Sequence, residues 1–161
     1  MAYLGQFDRL IRVEDRGKAV MNTRTIAVFT DALVVCAVSV YGETGKPTGA
    51  MFGRARRTGR QRGRDAGPGR GEERVRADAK LAGSGAGLAE TWPKAQLIPL
   101  DLIDSVVLTR PQQVSELAIY ETTHDQGSTA KSAFLGDLSA DGVKATLGPL
   151  LGDRLQIEIP G

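Results

Sequence analysis

The chain has 161 residues, 41% of them hydrophobic and 5% aromatic, so a core is available but aliphatic side chains must fill it. A formal net charge of +2 says little about partners, whereas one cysteine, Cys36, excludes an internal disulfide and one histidine, His124, excludes a multi-histidine metal site. The longest apolar run, Ala32–Val40, is strand-sized and falls short of the ~20 residues that cross a bilayer.

The start, MAYLGQFDRLIR, lacks the continuous apolar core of a signal peptide. A cytoplasmic protein with a reduced, buried Cys36 is the expectation. The charge is unevenly spread. Residues Gly42–Ala95 hold twelve Lys/Arg and six Asp/Glu, while the remainder holds nine and thirteen. An acidic domain therefore carries a basic insert.

In chain order, residues 1–22 leave two readings open. Leu4, Phe7, Leu10 and Ile11 fit a short amphipathic helix, and Leu10, Arg12 and Glu14 also fit an extended lead into a sheet. Thr25–Phe29 and Leu33–Tyr41 are rich in Val, Ile and Phe, which pack well on a pleated surface. Thr30-Asp31-Ala32 between them reads as a tight hairpin, because an aspartate accepts from nearby backbone amides in a turn. The second strand is apolar at almost every position, which predicts burial on both faces for part of its length.

Gly42–Ala95 holds twelve of the twenty glycines and has few large aliphatic residues. Little apolar surface is available there to offset chain entropy, so disorder is the expectation, with 72–82 able to form a transient helix. Order returns near Trp92. Gln96–Pro99 and Ser105–Arg110 read as strands around a bend at residues 100–104. Glu116–Thr122 alternates, with Leu117, Ile119 and Glu121 on one side and Ala118 and Tyr120 on the other. His124–Gly127 signals a turn, and Lys131–Leu135 a returning strand.

Ser139 is a suitable N-cap with Asp141 in the first turn. Leu138, Val143, Leu147, Leu150 and Leu151 then approximate helical spacing, with Gly148-Pro149 able to kink or shorten the helix. Leu155–Ile159 alternates as a last short strand. The expected fold class is α+β and mainly β. One domain is formed by its first strands in residues 1–41, a disordered basic Gly/Arg-rich insert in 42–95, and the remaining strands and C-terminal helix in 96–161.

Two blocks carry a family resemblance. One is Ala27-Val28-Phe29-Thr30-Asp31-Ala32-Leu33-Val34-Val35, an apolar strand ending in a Thr-Asp turn followed by a strand that starts with Leu. The other is Leu97-Ile98-Pro99-Leu100-Asp101-Leu102-Ile103-Asp104-Ser105-Val106, with a hairpin and a helix after it. This pattern resembles the bacterial pleckstrin-homology-like and GRAM-like domains. The resemblance implies a curled antiparallel sheet or partly open barrel capped by a C-terminal helix. It also implies a scaffold that binds lipid headgroups, peptides or proteins, or serves as an assembly unit. Fold alone does not choose among these.

The strongest candidate chemistry lies in Arg54, Arg56, Arg57, Arg60, Arg62 and Arg64, six arginines in eleven residues with no acid among them. Guanidinium groups grip phosphates in bidentate fashion and stay charged at any relevant pH. Anionic membrane lipid, an acidic protein and nucleic acid all fit such a tract, and a solvated spacer explains it equally well. Phe52 and Trp92 only flank it, which argues against base stacking.

Other motifs fail on their spacing. Gly42–Thr48 (GETGKPT) has Pro47 where a phosphate loop needs Ser or Thr. Gly83-Ser84-Gly85-Ala86-Gly87 follows no strand and reads as a flexible linker. Asp101 and Asp104 form a conceivable acid–base pair at a bend that turn formation also explains. His124 reads as an exposed turn residue, and no serine has a nucleophile-elbow context. The expectation is therefore a binding or assembly module without catalysis, cofactor or metal, with weak anionic contacts through the arginine tract. A nucleic-acid accessory protein is the first alternative, and an enzyme with a site invisible in sequence is the second.

Overall fold

The computed structural model describes residues 2–15, 17, 22–39, 70–110, 114–122 and 129–158. The N-terminal segment is a strand, β1 (Tyr3–Arg12), followed by a 3-10 turn at Val13–Asp15. Phe7 and Leu10 both enter the core although they lie three residues apart. A bulge makes this possible: the pairing register shifts between them, and Arg9 adopts φ 60°. A spacing that reads as helical is thus met by an irregular strand.

β2 (Asn22–Phe29) and β3 (Ala32–Ser39) form the hairpin expected at Thr30-Asp31. The next described residues form α1 (Arg70–Ala82) and α2 (Gly85–Thr91), which lead into β4 (Gln96–Pro99). A 3-10 turn at Leu100–Leu102 supplies the expected bend before β5 (Ile103–Thr109). β6 (Ser115–Thr122), β7 (Thr129–Gly136), α3 (Ala140–Leu151) and β8 (Leu155–Glu158) complete the chain. Ser139 caps α3 by accepting from the Gly142 amide at 3.0 Å.

The eight strands form one open, mixed sheet in the order β4-β3-β2-β1-β7-β6-β5-β8. Neighbours run antiparallel except β5 and β8, which are parallel. β1 belongs to both halves. Its first part pairs with β2, and its last two residues pair with β7 through Ile11–Leu135 and Arg12–Phe134. The halves curl around one core, in which Ile26, Val28, Leu33, Val35 and Ile98 meet Val106, Leu108, Leu117, Ile119 and Phe134. Val143, Leu147 and Leu151 of α3 close that core. Arg154 secures the far end of α3 by donating to the Leu100, Ile103 and Leu150 carbonyls.

A second cluster lies on the opposite face of the first half. Ala27, Phe29, Val34, Cys36 and Val38 point away from the shared core and are sealed by Val75, Ala79 and Leu88 of α1 and α2. Burial of β3 on both faces follows directly. The expectation of a disordered 42–95 segment therefore fails over residues 70–95, and residues 40–69 lie outside the described set.

The physical reason is close approach. A Cβ placed on Gly85 would stand 2.8 Å from the Ala32 Cβ and 3.3 Å from a Val34 methyl, so a bare backbone lets α2 sit on the strand. Few large side chains are then needed for burial. The Gly83–Gly87 stretch is likewise a helix start rather than a linker, with the Ser84 hydroxyl accepting from the Gly87 amide at 3.0 Å.

Candidate functional site

Alternation along β2 puts Arg24 on the same face as Ile26 and Val28, toward the shared core. Arg12, at the end of β1, faces inward in the same way. Both arginines are half-buried, and together they form the mouth of this inward face. The Arg12 Nη2 donates to Gln96 Oε1 at 2.7 Å, and its Cζ lies 5.1 Å from the Phe134 ring centroid. This is a guanidinium held over an aromatic ring and steered by one amide. Arg24 makes only long contacts, from Nη1 to the Asn22 and Thr23 carbonyls at 3.5 and 3.4 Å.

Burial is the main cause that pushes the Arg24 pKa below its usual value, and the positive charge of Arg12 adds to it. Asp15 and Glu14, in the turn that follows Arg12, oppose both effects. Among the described residues the ion pairs are Arg74–Asp78 at 3.6 Å and Lys131–Glu116 at 3.8 Å, so neither mouth arginine has a carboxylate at bonding distance. Two partly desolvated cations with spare N–H donors are suited to an oxyanion.

The other flagged residues have different fates. Arg54, Arg56, Arg57, Arg60, Arg62 and Arg64, GETGKPT and His124 lie outside the described residues. Asp104 staples strands, its carboxylate accepting from Thr122 Oγ1 at 2.6 Å and Thr129 Oγ1 at 3.4 Å, while Asp101 is exposed. Asp31 accepts from the Gly85 amide at 3.1 Å, tying the hairpin turn to α2. Cys36 is buried and unpaired, and burial pushes its thiol up to about 12, so it stays protonated at neutral pH.

Near the start of α3, a cleft of about 300 Å3 is flanked by Asp8 and Asp137. The Asp8 Oδ1 already accepts from Gln6 Nε2 at 2.7 Å and Thr25 Oγ1 at 3.2 Å.

The density of the arginine tract draws attention away from Arg12 and Arg24. Their signal lies in period rather than density. Arg24 falls two residues before Ile26 on an inward-facing row, where a cation is unexpected. No known family model and no curated protein matches the chain. Among the described residues, no helix is long and apolar enough to cross a membrane.

Proposed function

We propose that the protein is a non-catalytic binding module that holds an anionic group of a partner at Arg12 and Arg24. The half-buried arginine pair without a bonded carboxylate carries this reading. Two half-buried like charges repel and lose part of their hydration, and an oxyanion bridging them offsets both costs. The reading also fits a pleckstrin-homology-like architecture. A curled, largely antiparallel sheet with a C-terminal helix packed on its core is what the family resemblance implies. α1 and α2 between β3 and β4, and the parallel β8, are additions to it.

The arginine tract belongs to the same proposal through topology. The connection that carries Arg54–Arg64 leaves β3 beyond Ser39, and Ser39 pairs with Asn22, two residues from Arg24. The connection thus begins beside the mouth, and in this proposal the tract adds diffuse attraction to the two fixed contacts. Membrane lipid phosphate and acidic protein share the required chemistry, and a peripheral membrane location follows from the first.

The test measures binding to phosphatidic-acid vesicles, to an acidic peptide and to mixed nucleic acid at two salt concentrations. It compares the full chain, Arg12→Gln/Arg24→Gln, and a chain lacking residues 53–69. That deletion stops before Arg70 because Val75 is part of the core. Loss of binding in the double variant supports the mouth. Binding that vanishes only with residues 53–69, and only for nucleic acid, replaces this reading with a nucleic-acid accessory role.

A further inference from the structure

The turn Val13–Asp15 begins at the residue after Arg12 and rests against β7, the strand whose Phe134 supports the Arg12 guanidinium. Glu14 is exposed and Asp15 half-buried. Their formal charges cancel those of Arg12 and Arg24, and Arg24 feels both carboxylates. Among the described residues neither acid forms an ion pair within 4.0 Å. The two acids therefore follow Arg12 closely in the chain and act on Arg24 without bonding either guanidinium.

Resting on the proposed anion-binding role of the mouth, we infer that the Val13–Asp15 turn is a built-in counter-ion, which a phosphate-bearing ligand must outcompete to reach Arg12 and Arg24. Opposite charges on one short turn lower the net field around the mouth, so distant anions are attracted weakly. A ligand gains only on direct contact with the guanidinium groups, where hydrogen bonds add to Coulombic attraction. The turn thus filters ligands by contact rather than by net charge. Anions that make no direct hydrogen bonds meet a nearly neutral mouth, and a phosphate that bridges both arginines makes the contacts that the unbonded carboxylates do not.

The experiment compares the full chain, Glu14→Gln/Asp15→Asn, and Arg12→Gln/Arg24→Gln, each confirmed folded by a cooperative thermal melt. The probes are free inorganic phosphate and phosphatidic-acid vesicles in a phosphatidylcholine background, at low and high salt. Neutralising the acids is expected to tighten binding about five- to tenfold at low salt, with the gain shrinking at high salt as charges are screened. A gain with either probe supports the inference, and the probe that responds identifies free phosphate or lipid surface as the source. Binding detected only after the acids are removed supports it most strongly.

Unchanged or weaker binding by Glu14→Gln/Asp15→Asn, with binding lost in Arg12→Gln/Arg24→Gln, overturns the counter-ion role and leaves the mouth standing. Full binding by Arg12→Gln/Arg24→Gln, or no binding by any form, overturns the mouth and the inference together.

Discussion

The outward faces of the two sheet halves have opposite fates. On the first half, Ala27, Phe29, Val34, Cys36 and Val38 make a largely apolar surface, sealed by α1 and α2; the polar groups on it are already bonded, Thr25 to Asp8 and Gln6 to the Glu72 carbonyl. On the second half, the outward positions of β5, β6 and β7 include Val107, Ala118 and Ala133. Glu116, Tyr120 and Lys131 are interleaved with them. Lys131 reaches over the Tyr120 ring at 5.8 Å and lies 3.8 Å from Glu116, so the charges tolerate water beside small apolar residues. A largely apolar face whose few polar groups are already bonded calls for a second layer, and two charges in the same pleat remove that need.

The largest effect should come from placing one charge on each face. Val34→Asp is expected to cost about 4 kcal/mol or more and to abolish cooperative melting, because Val34 is fully buried beneath the helices. Val107→Asp, on a half-buried outward site, should stay within about 1 kcal/mol. Equal losses in thermal melts of the two variants would break the contrast between the faces.

A smaller effect sharpens the role of close approach. Gly85→Ala should destabilise by about 1–3 kcal/mol, because its Cβ meets Ala32 and Val34. Gly148→Ala inside α3 meets nothing within 4 Å and should instead stabilise by about 0.5–1 kcal/mol. Urea unfolding of both variants reads the difference, and a neutral Gly85→Ala would show that α2 rides higher on the sheet.

Trp92→Phe comes next, at about 1 kcal/mol. It removes the indole donor to the Ala37 carbonyl, a 3.1 Å bond that fastens the end of α2 to β3. Circular dichroism during denaturation measures it without needing the lost fluorophore.

The smallest effect at neutral pH concerns Cys36. Its folded pKa is raised from 9.0 to about 12, so the folded state keeps a proton that the unfolded state releases. Stability from this group is complete below pH 9, and it declines as pH rises from there toward 12. A Cys36→Ala chain should lose less stability than the native chain between pH 8 and pH 10.5. Parallel pH–stability curves would place the thiol in a wetter site.

Most of the second half and the β2–β3 hairpin were legible because their signals are local. Glu116–Thr122 alternates, Ser139 caps, and the Thr30-Asp31 turn separates two apolar runs. α1 was legible only as a transient helix over 72–82 and α2 not at all, for a physical reason. Of their buried positions only Val75 and Leu88 are large aliphatics, and Gly71, Ala79 and Gly85 look like spacer composition until a strand lies under them. β1 was ambiguous because its bulge imitates a helical period. The mouth was hidden differently. Arg12 and Arg24 are far apart in sequence, and only the hairpin, which pairs Leu10 with Arg24, makes them neighbours.

The shared strand also orders events in time during synthesis. β1, β2 and β3 leave the ribosome early and can zip by short loops, but Ile11 and Arg12 wait for Phe134 and Leu135 before the two halves join. Until then Phe7, Leu10 and the inward row of β2 have no opposing layer. Closure across so long a separation is the slow step expected of non-local strand pairing. The nascent chain therefore spends its longest exposed interval with its best-formed hairpin open on one side, when a chaperone would be of most use to it.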